Sequence, residues 1–215
     1  LPLVAAGTDT TICAGSSIAL TGSGATSYVW DNNITNGVFF TPNTTKTYIV
    51  IGTNNSGCSA SDTITISVNN PVVDAGLDTS LCSGDQITLS GAGAMTYSWN
   101  NGVIDGVSFI PTSNQQYSVI GIDSLGCISS DSVLINVNTS PTVFAGIDTV
   151  LCLGGQVSLS GDGASIYTWN NGVVNGVSFS PTSTQQYFVI GSDSLGCANT
   201  DSVTIYVNSL PQINA

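Results

Sequence analysis

The element GCISSDSVLINVN at residues 126–138 has near copies as GCSASDTITISVN at 57–69 and GCANTDSVTIYVN at 196–208. Whatever one copy folds into, the others must fold into as well, so this repetition constrains the chain more than any other feature. Cys13, Cys82 and Cys152 align with one another, as do Trp30, Trp99 and Trp169, and Cys58, Cys127 and Cys197. The offsets are 69 and 70 residues, and the extra residue falls in the joint, where VNNP (68–71) becomes VNTSP (137–141). An insertion confined to a junction suits separately packed modules. A period near 70 also exceeds the roughly 20–50 residues of solenoid repeats, which need neighbours to complete a core. The chain therefore divides into repeats at 1–69, 70–139 and 140–209. The closing PQINA matches PVVDA (71–75) and PTVFA (141–145), so 210–215 reads as the start of a further repeat.

Within the second repeat, QITLSGAG (86–93), TYSWN (96–100), VSFIP (107–111), QYSVIGI (116–122) and SVLINVN (132–138) alternate apolar and polar residues. Period two over short runs rich in Thr, Val, Ile and Tyr predicts strands with one buried face. An opening strand near 71–75 and another near 79–82 bring the count to about seven. Turn residues separate the runs at SGD (83–85), NNG (100–102), DG (105–106) and DSLG (123–126). Seven short strands in 70 residues predict an all-β chain of tandem immunoglobulin-like antiparallel β-sandwich domains.

Thirteen aspartates against the single Lys46 set a net charge of −12, which excludes a nucleic-acid surface or an anionic membrane as partner. No run of apolar residues is long enough to insert into a membrane, and no signal peptide opens the chain, so an export or anchoring signal is expected outside this segment. Two cysteines per repeat point to an oxidising, extracellular compartment. Pairing Cys13–Cys58, Cys82–Cys127 and Cys152–Cys197 is the expected arrangement. Each such bond would close a small loop and stabilise its repeat by roughly 4 kcal/mol. The alternative is a staple between neighbours, Cys13–Cys127 and Cys82–Cys197, which would lock the joint. A zinc centre fails for want of ligands, with two thiols per repeat and no histidine.

Trp30, Trp99 and Trp169 sit in YVW, YSW and YTW, and are expected in the core of a central strand. The alternative is an aromatic platform for sugar. Tyr48, Tyr117 and Tyr187 are expected in the core too, pinning a sandwich corner through their hydroxyls. Phe40, Phe109 and Phe179, followed closely by Pro42, Pro111 and Pro181, read as core plugs at strand ends. Catalysis finds no histidine to act as base, and the recurring aspartates do not converge, so no enzyme is expected. No cofactor is expected either. Calcium at the junctions, held by Asp9, Asp78 and Asp148 with Asp74 or Asn69, Asn70 and Asn138, is weighed against solvated turn aspartates. Asp74 has Ala5 and Phe144 as counterparts, and no calcium-loop motif is present, which favours the second reading.

The AG-D--LC-G at 75–84, the Y-W of the third strand and YSVIGIDSLGCISSDSV at 117–133 resemble the immunoglobulin-like and PKD-like repeats of giant Bacteroidetes cell-surface adhesins, gliding-motility adhesins among them. The resemblance covers essentially the whole chain. It implies type IX secretion, a place on the cell surface or in a surface filament outside the outer membrane, and a non-catalytic role as adhesin stalk or filament. Partners would be adjacent repeats of the same long chain, surface polysaccharide or other cell-surface proteins. It further implies O-glycans at Asp-(Ser/Thr)-(aliphatic or Thr) triplets. Their acceptors here would be Thr10, Thr63, Ser124, Ser132, Thr149, Ser194 and Ser202. A carbohydrate- or protein-binding module, or a subunit of a laterally assembled sheath, is the alternative function.

Overall fold

The computed structural model describes residues 1–211, and these are all-β. The first repeat contributes β1 (Thr10–Cys13), β2 (Ile18–Ala19), β3 (Ser27–Trp30), β4 (Phe39–Phe40), β5 (Lys46–Thr53) and β6 (Ser59–Asn69). The second contributes β7 (Thr79–Cys82), β8 (Ile87–Thr88), β9 (Thr96–Trp99), β10 (Ser108–Phe109), β11 (Gln115–Ile122) and β12 (Ile128–Asn138). The third contributes β13 (Thr149–Cys152), β14 (Val157–Ser158), β15 (Ile166–Trp169), β16 (Ser178–Phe179), β17 (Gln185–Ser192) and β18 (Ala198–Asn208). The expected start of a fourth repeat lies, from Gln212 onward, outside the described residues.

Each repeat builds a four-stranded sheet, ordered β1-β6-β5-β3, β7-β12-β11-β9 and β13-β18-β17-β15. Opposite it lies a two-stranded sheet, β2-β4, β8-β10 or β14-β16. The opening strand expected near 71–75 shrinks to a single bridge, Asp74 to Ala92, and the same bridge recurs as Ala5 to Ser23 and Phe144 to Asp162. It is held close by a glycine at each turn. A Cβ on Gly93 would sit 1.7 Å from the Val72 carbonyl oxygen, and one on Gly163 would sit 1.8 Å from that of Thr142.

The chain packs as two compact units. One comprises Leu1–Leu77, Thr88–Val107 and Tyr117–Val133; the other comprises Asp78–Ile87, Ser108–Gln116 and the described residues 134–211. In the first unit Ala6, Leu20, Trp30, Tyr48, Val50, Ile64 and Ile66 form the core. In the second the equivalent set is Ala145, Leu159, Trp169, Tyr187, Val189, Val203 and Ile205, joined by Val143. Alternation explains these sets directly: in β5 the sequence KTYIVIGT buries Tyr48, Val50 and Gly52 and turns Ile49 and Ile51 outward.

The first strand of each repeat pairs in parallel with the last. Cys13 lies opposite Asn69, Cys82 opposite Asn138 and Cys152 opposite Asn208. This register overturns the expected within-repeat disulfides. Cys58 precedes β6, whereas Cys13 pairs with its far end. Eleven residues at about 3.3 Å each set the two roughly 35 Å apart along the strand. A disulfide needs Cα atoms within about 7 Å.

Candidate functional site

The bonds that form are Cys13–Cys127 and Cys82–Cys197, with Cα separations of 5.3 and 5.5 Å. The first cysteine of one repeat therefore meets the second cysteine of the next. Cys58 and Cys152 are free and exposed. The turn that carries each second cysteine is an aspartate turn written by DSLGC. Asp123 Oδ1 accepts the N–H groups of Leu125 and Cys127, both at 2.9 Å, and Asp193 does the same for Leu195 and Cys197. Asn69, at the end of β6, donates its Nδ2 to Asp123 Oδ2 across the first joint. Burial raises the Asp123 carboxyl, but donors from Cys127, Asn69, Leu125 and Gly126 outweigh it and hold the group below the usual carboxylate range. Disulfide and amide–carboxylate contact thus fasten the first repeat to the second, and a disulfide fastens the second to the third.

A second group of carboxylates fastens each repeat to itself. Asp62, Asp131 and Asp201 accept the N–H of Ala6, Ala75 and Ala145 at 2.8–2.9 Å, tying the entering segment to the last strand. Those bonds, with the N–H groups of Thr63, Ser132 and Ser202, lower their pKa values. Asp9, Asp78 and Asp148 accept from the backbone of Thr65, Leu134 and Thr204, each at 2.8 Å. The aspartates weighed as calcium ligands are thus bound to amides of the fold. Among the described residues no group of three or more His, Cys, Asp or Glu side chains is arranged to hold a metal ion.

All three tryptophans are buried. Each indole N–H donates to a side chain six residues on, Asn36, Asp105 or Asn175, at 2.8–3.0 Å. The same oxygen accepts the N–H of Gly22, Gly91 or Gly161, so one acceptor ties the aromatic to the glycine bend beside it. Tyr48, Tyr117 and Tyr187 are buried too. Three further tyrosines pin a turn through their hydroxyls. Tyr28, Tyr97 and Tyr167 each donate to the carbonyl, and accept from the N–H, of the alanine three residues earlier. Tyr48 and Tyr187 instead meet Phe40 and Phe179 edge to face, at 5.3 and 5.2 Å.

Of the hydroxyls in the Asp-Ser/Thr triplets, Ser124 and Ser194 lie exposed in turns. Thr63 lies in β6, Ser132 in β12 and Ser202 in β18; Thr10 and Thr149 open β1 and β13 and donate to Thr8 and Ile147 carbonyls. Thr63 is the cross-strand partner of Ile49, and Ser202 that of Phe188. These pairs occupy the outer face of the large sheets. There Val29, Ile49 and Ile51 in the first repeat, and Ile166, Phe188 and Ile190 in the third, stand exposed.

No protein family's sequence profile matches this chain, and no curated protein sequence is similar to it. Solved structures similar to it are tandem immunoglobulin-domain proteins. The N-terminal eight Ig domains of Down Syndrome Cell Adhesion Molecule match 97% of this chain at 15% identity and a TM-score of 0.46. The chain spans 36% of that fragment. Titin domains I67–I69 match 94% of it at 11% identity and a TM-score of 0.38, over 96% of the titin fragment. The insect immune protein hemolin matches 96% at 12% identity and 0.35, over 76% of its length.

Proposed function

We propose that this chain is a non-catalytic extracellular array, serving as stalk or filament in a large bacterial surface adhesin exported by the type IX route. The observation that carries the reading is the pair of disulfides that bind each repeat to the next, since a covalently fastened joint is what a projecting arm under load requires. An enzyme would gain nothing from it. The carboxylate tethers and joint bonds serve cohesion. The reading assigns no cofactor and takes neighbouring repeats as the first partners, with polysaccharide or surface proteins met elsewhere on the assembly. Thr63 and Ser202 support the glycan assignment, because sugar on either would cover the exposed Ile49 or Phe188 beside it.

Antibody raised against the array should label intact, unpermeabilised cells, with the label distributed along projecting fibres in electron micrographs. Label confined to the cytoplasm refutes the proposal. Lateral assembly into a sheath is a second reading, favoured by the exposed aliphatic face of the large sheets. It requires that removing glycans, or replacing Ile49 and Ile51 by Ser, change the lateral association of fibres.

A further inference from the structure

In the large sheet of each repeat, the residues that alternate with the buried ones along the three antiparallel strands are apolar, hydroxyl or amide throughout. Among the described residues none of the thirteen aspartates, nor Lys46, stands on that side. Asp62, Asp131 and Asp201 share the side of the buried residues and accept from the amides of Ala6, Ala75 and Ala145. A chain of net charge −12 thus presents one uncharged sheet face in each repeat. Ile51, Ile120 and Ile190 hold the same place on these faces and are 48%, 48% and 49% exposed. Ile49, Ile122 and Phe188, two residues away along the same strands, are exposed as well. Hydroxyls border them: Ser61 lies opposite Ile51, Ser98 opposite Ile120, and Thr168 and Thr200 on either side of Ile190.

We propose that two copies of this chain pair laterally through the uncharged outer faces of their large sheets, with Ile51, Ile120 and Ile190 at the centre of the contacts. The proposal rests on the sheath reading of this face and names what the face meets. Charge selects the occupant first. Two chains of −12 repel wherever carboxylates meet, and this face brings none into contact. Area selects it second. A few half-exposed side chains per repeat offer on the order of 300 Å² of apolar surface, no more than an ordinary monomer shows. A stable interface takes about 800 Å² from each partner, so one face is too small and three linked faces, at about 900 Å², are enough. A partner must then carry the same patch in the same series, and a second copy does. Sugar at Thr63 or Ser202 would cover the face, so pairing belongs to chains bare at those hydroxyls.

The test uses the whole chain as C58S/C152S, free of sugar, with both internal disulfides intact. Analytical ultracentrifugation should show a reversible dimer that tightens as salt is added, because salt screens the net charge and the face has no charge to lose. I51T, I51T/I120T and I51T/I120T/I190T keep β-branched side chains in the strands and should weaken the dimer about tenfold for each repeat altered. Two further chains, I51K/I120K/I190K and I51E/I120E/I190E, should each be monomeric alone and pair with each other when mixed. Urea midpoints of all the variants separate a lost contact from a lost fold. A parent chain still monomeric at about 0.1 mM, a dimer indifferent to the threonine changes, or charged chains that stay apart when mixed would each overturn the proposal. A monomer that binds soluble dextran, a neutral glucan, through the same isoleucines overturns it in favour of carbohydrate. Fibres that nonetheless lie side by side on cells would leave the sheath reading standing on another surface.

Discussion

Stretching a C58S/C152S chain from its two ends should reveal that its disulfides interleave. The bonded spans 13–127 and 82–197 overlap. Force entering at the amino end reaches Cys13, crosses to Cys127, and runs backward along the chain to Cys82. It then crosses to Cys197 and leaves toward the carboxyl end. That route contains only about 75 residues, so even with every strand unfolded the oxidised chain extends to about 280 Å, taking about 3.6 Å per residue and the two disulfides. Reduction frees the full chain, to about 770 Å. Within-repeat pairing in the same variant would retain only Cys82–Cys127 and allow about 610 Å. Adding C13S leaves Cys82–Cys197 alone, and the limit should rise to about 360 Å. Single-molecule force spectroscopy with handles at both ends, with and without reductant, reads these lengths. An oxidised chain extending near 610 or 770 Å refutes the joint bonds and the mechanical argument built on them.

Asp105→Ala should orphan two donors, the buried Trp99 indole and the Gly91 amide, and destabilise residues 88–107 by about 2–4 kcal/mol. Asp105→Asn should stay within about 1 kcal/mol, because an asparagine oxygen does the same work at Asn36 and Asn175 and retains the acceptor geometry. Hydrogen exchange localised to that segment separates the two variants. Gly163→Ala drives a Cβ into the Thr142 carbonyl at positive φ, and should cost about 2 kcal/mol or more, against about 1 kcal/mol at Gly84, whose positive φ faces open space; comparative urea denaturation measures the gap. The lowered pKa values of Asp62, Asp131 and Asp201 contribute stability that is present above the unfolded carboxyl pKa near 4 and is lost as pH falls through the folded values. The thermal midpoint should therefore hold from pH 7 to about 5 and drop below about pH 4, and replacing the three by Asn should flatten that drop.

Much of the fold was legible because alternation along a strand directly encodes which side chains turn inward. QYSVIGI marks β11, and its counterparts mark β5 and β17, since a two-residue period survives any neighbour. Strand ends were less legible. The run at 86–93 divides into Ile87–Thr88 and a single bridge at Ala92, and between them Gly91 leaves room for the ring of Tyr97, 2.3 Å from where a Cβ would stand. The turn-pinning hydroxyl of Tyr97 was less legible than the buried ring of Tyr117. The available signal was local: an alanine three residues before the tyrosine, repeated in all three copies, places backbone donor and acceptor within reach of one hydroxyl. The carboxylates of Asp62, Asp131 and Asp201 show no role in the sequence. Their partners lie 56 residues earlier, a distance no local pattern reveals.

The sequence by itself determined that three units of one kind follow each other, that they are built of strands, and that six cysteines stand at equivalent places. Which cysteine meets which was decided only in three dimensions. Hydrophobic alternation reads the same in both directions along a strand, so it is silent on whether a first strand runs with or against the last. The parallel choice carries Cys13 to the far end of β6, away from Cys58 and onto the neighbouring repeat's Cys127.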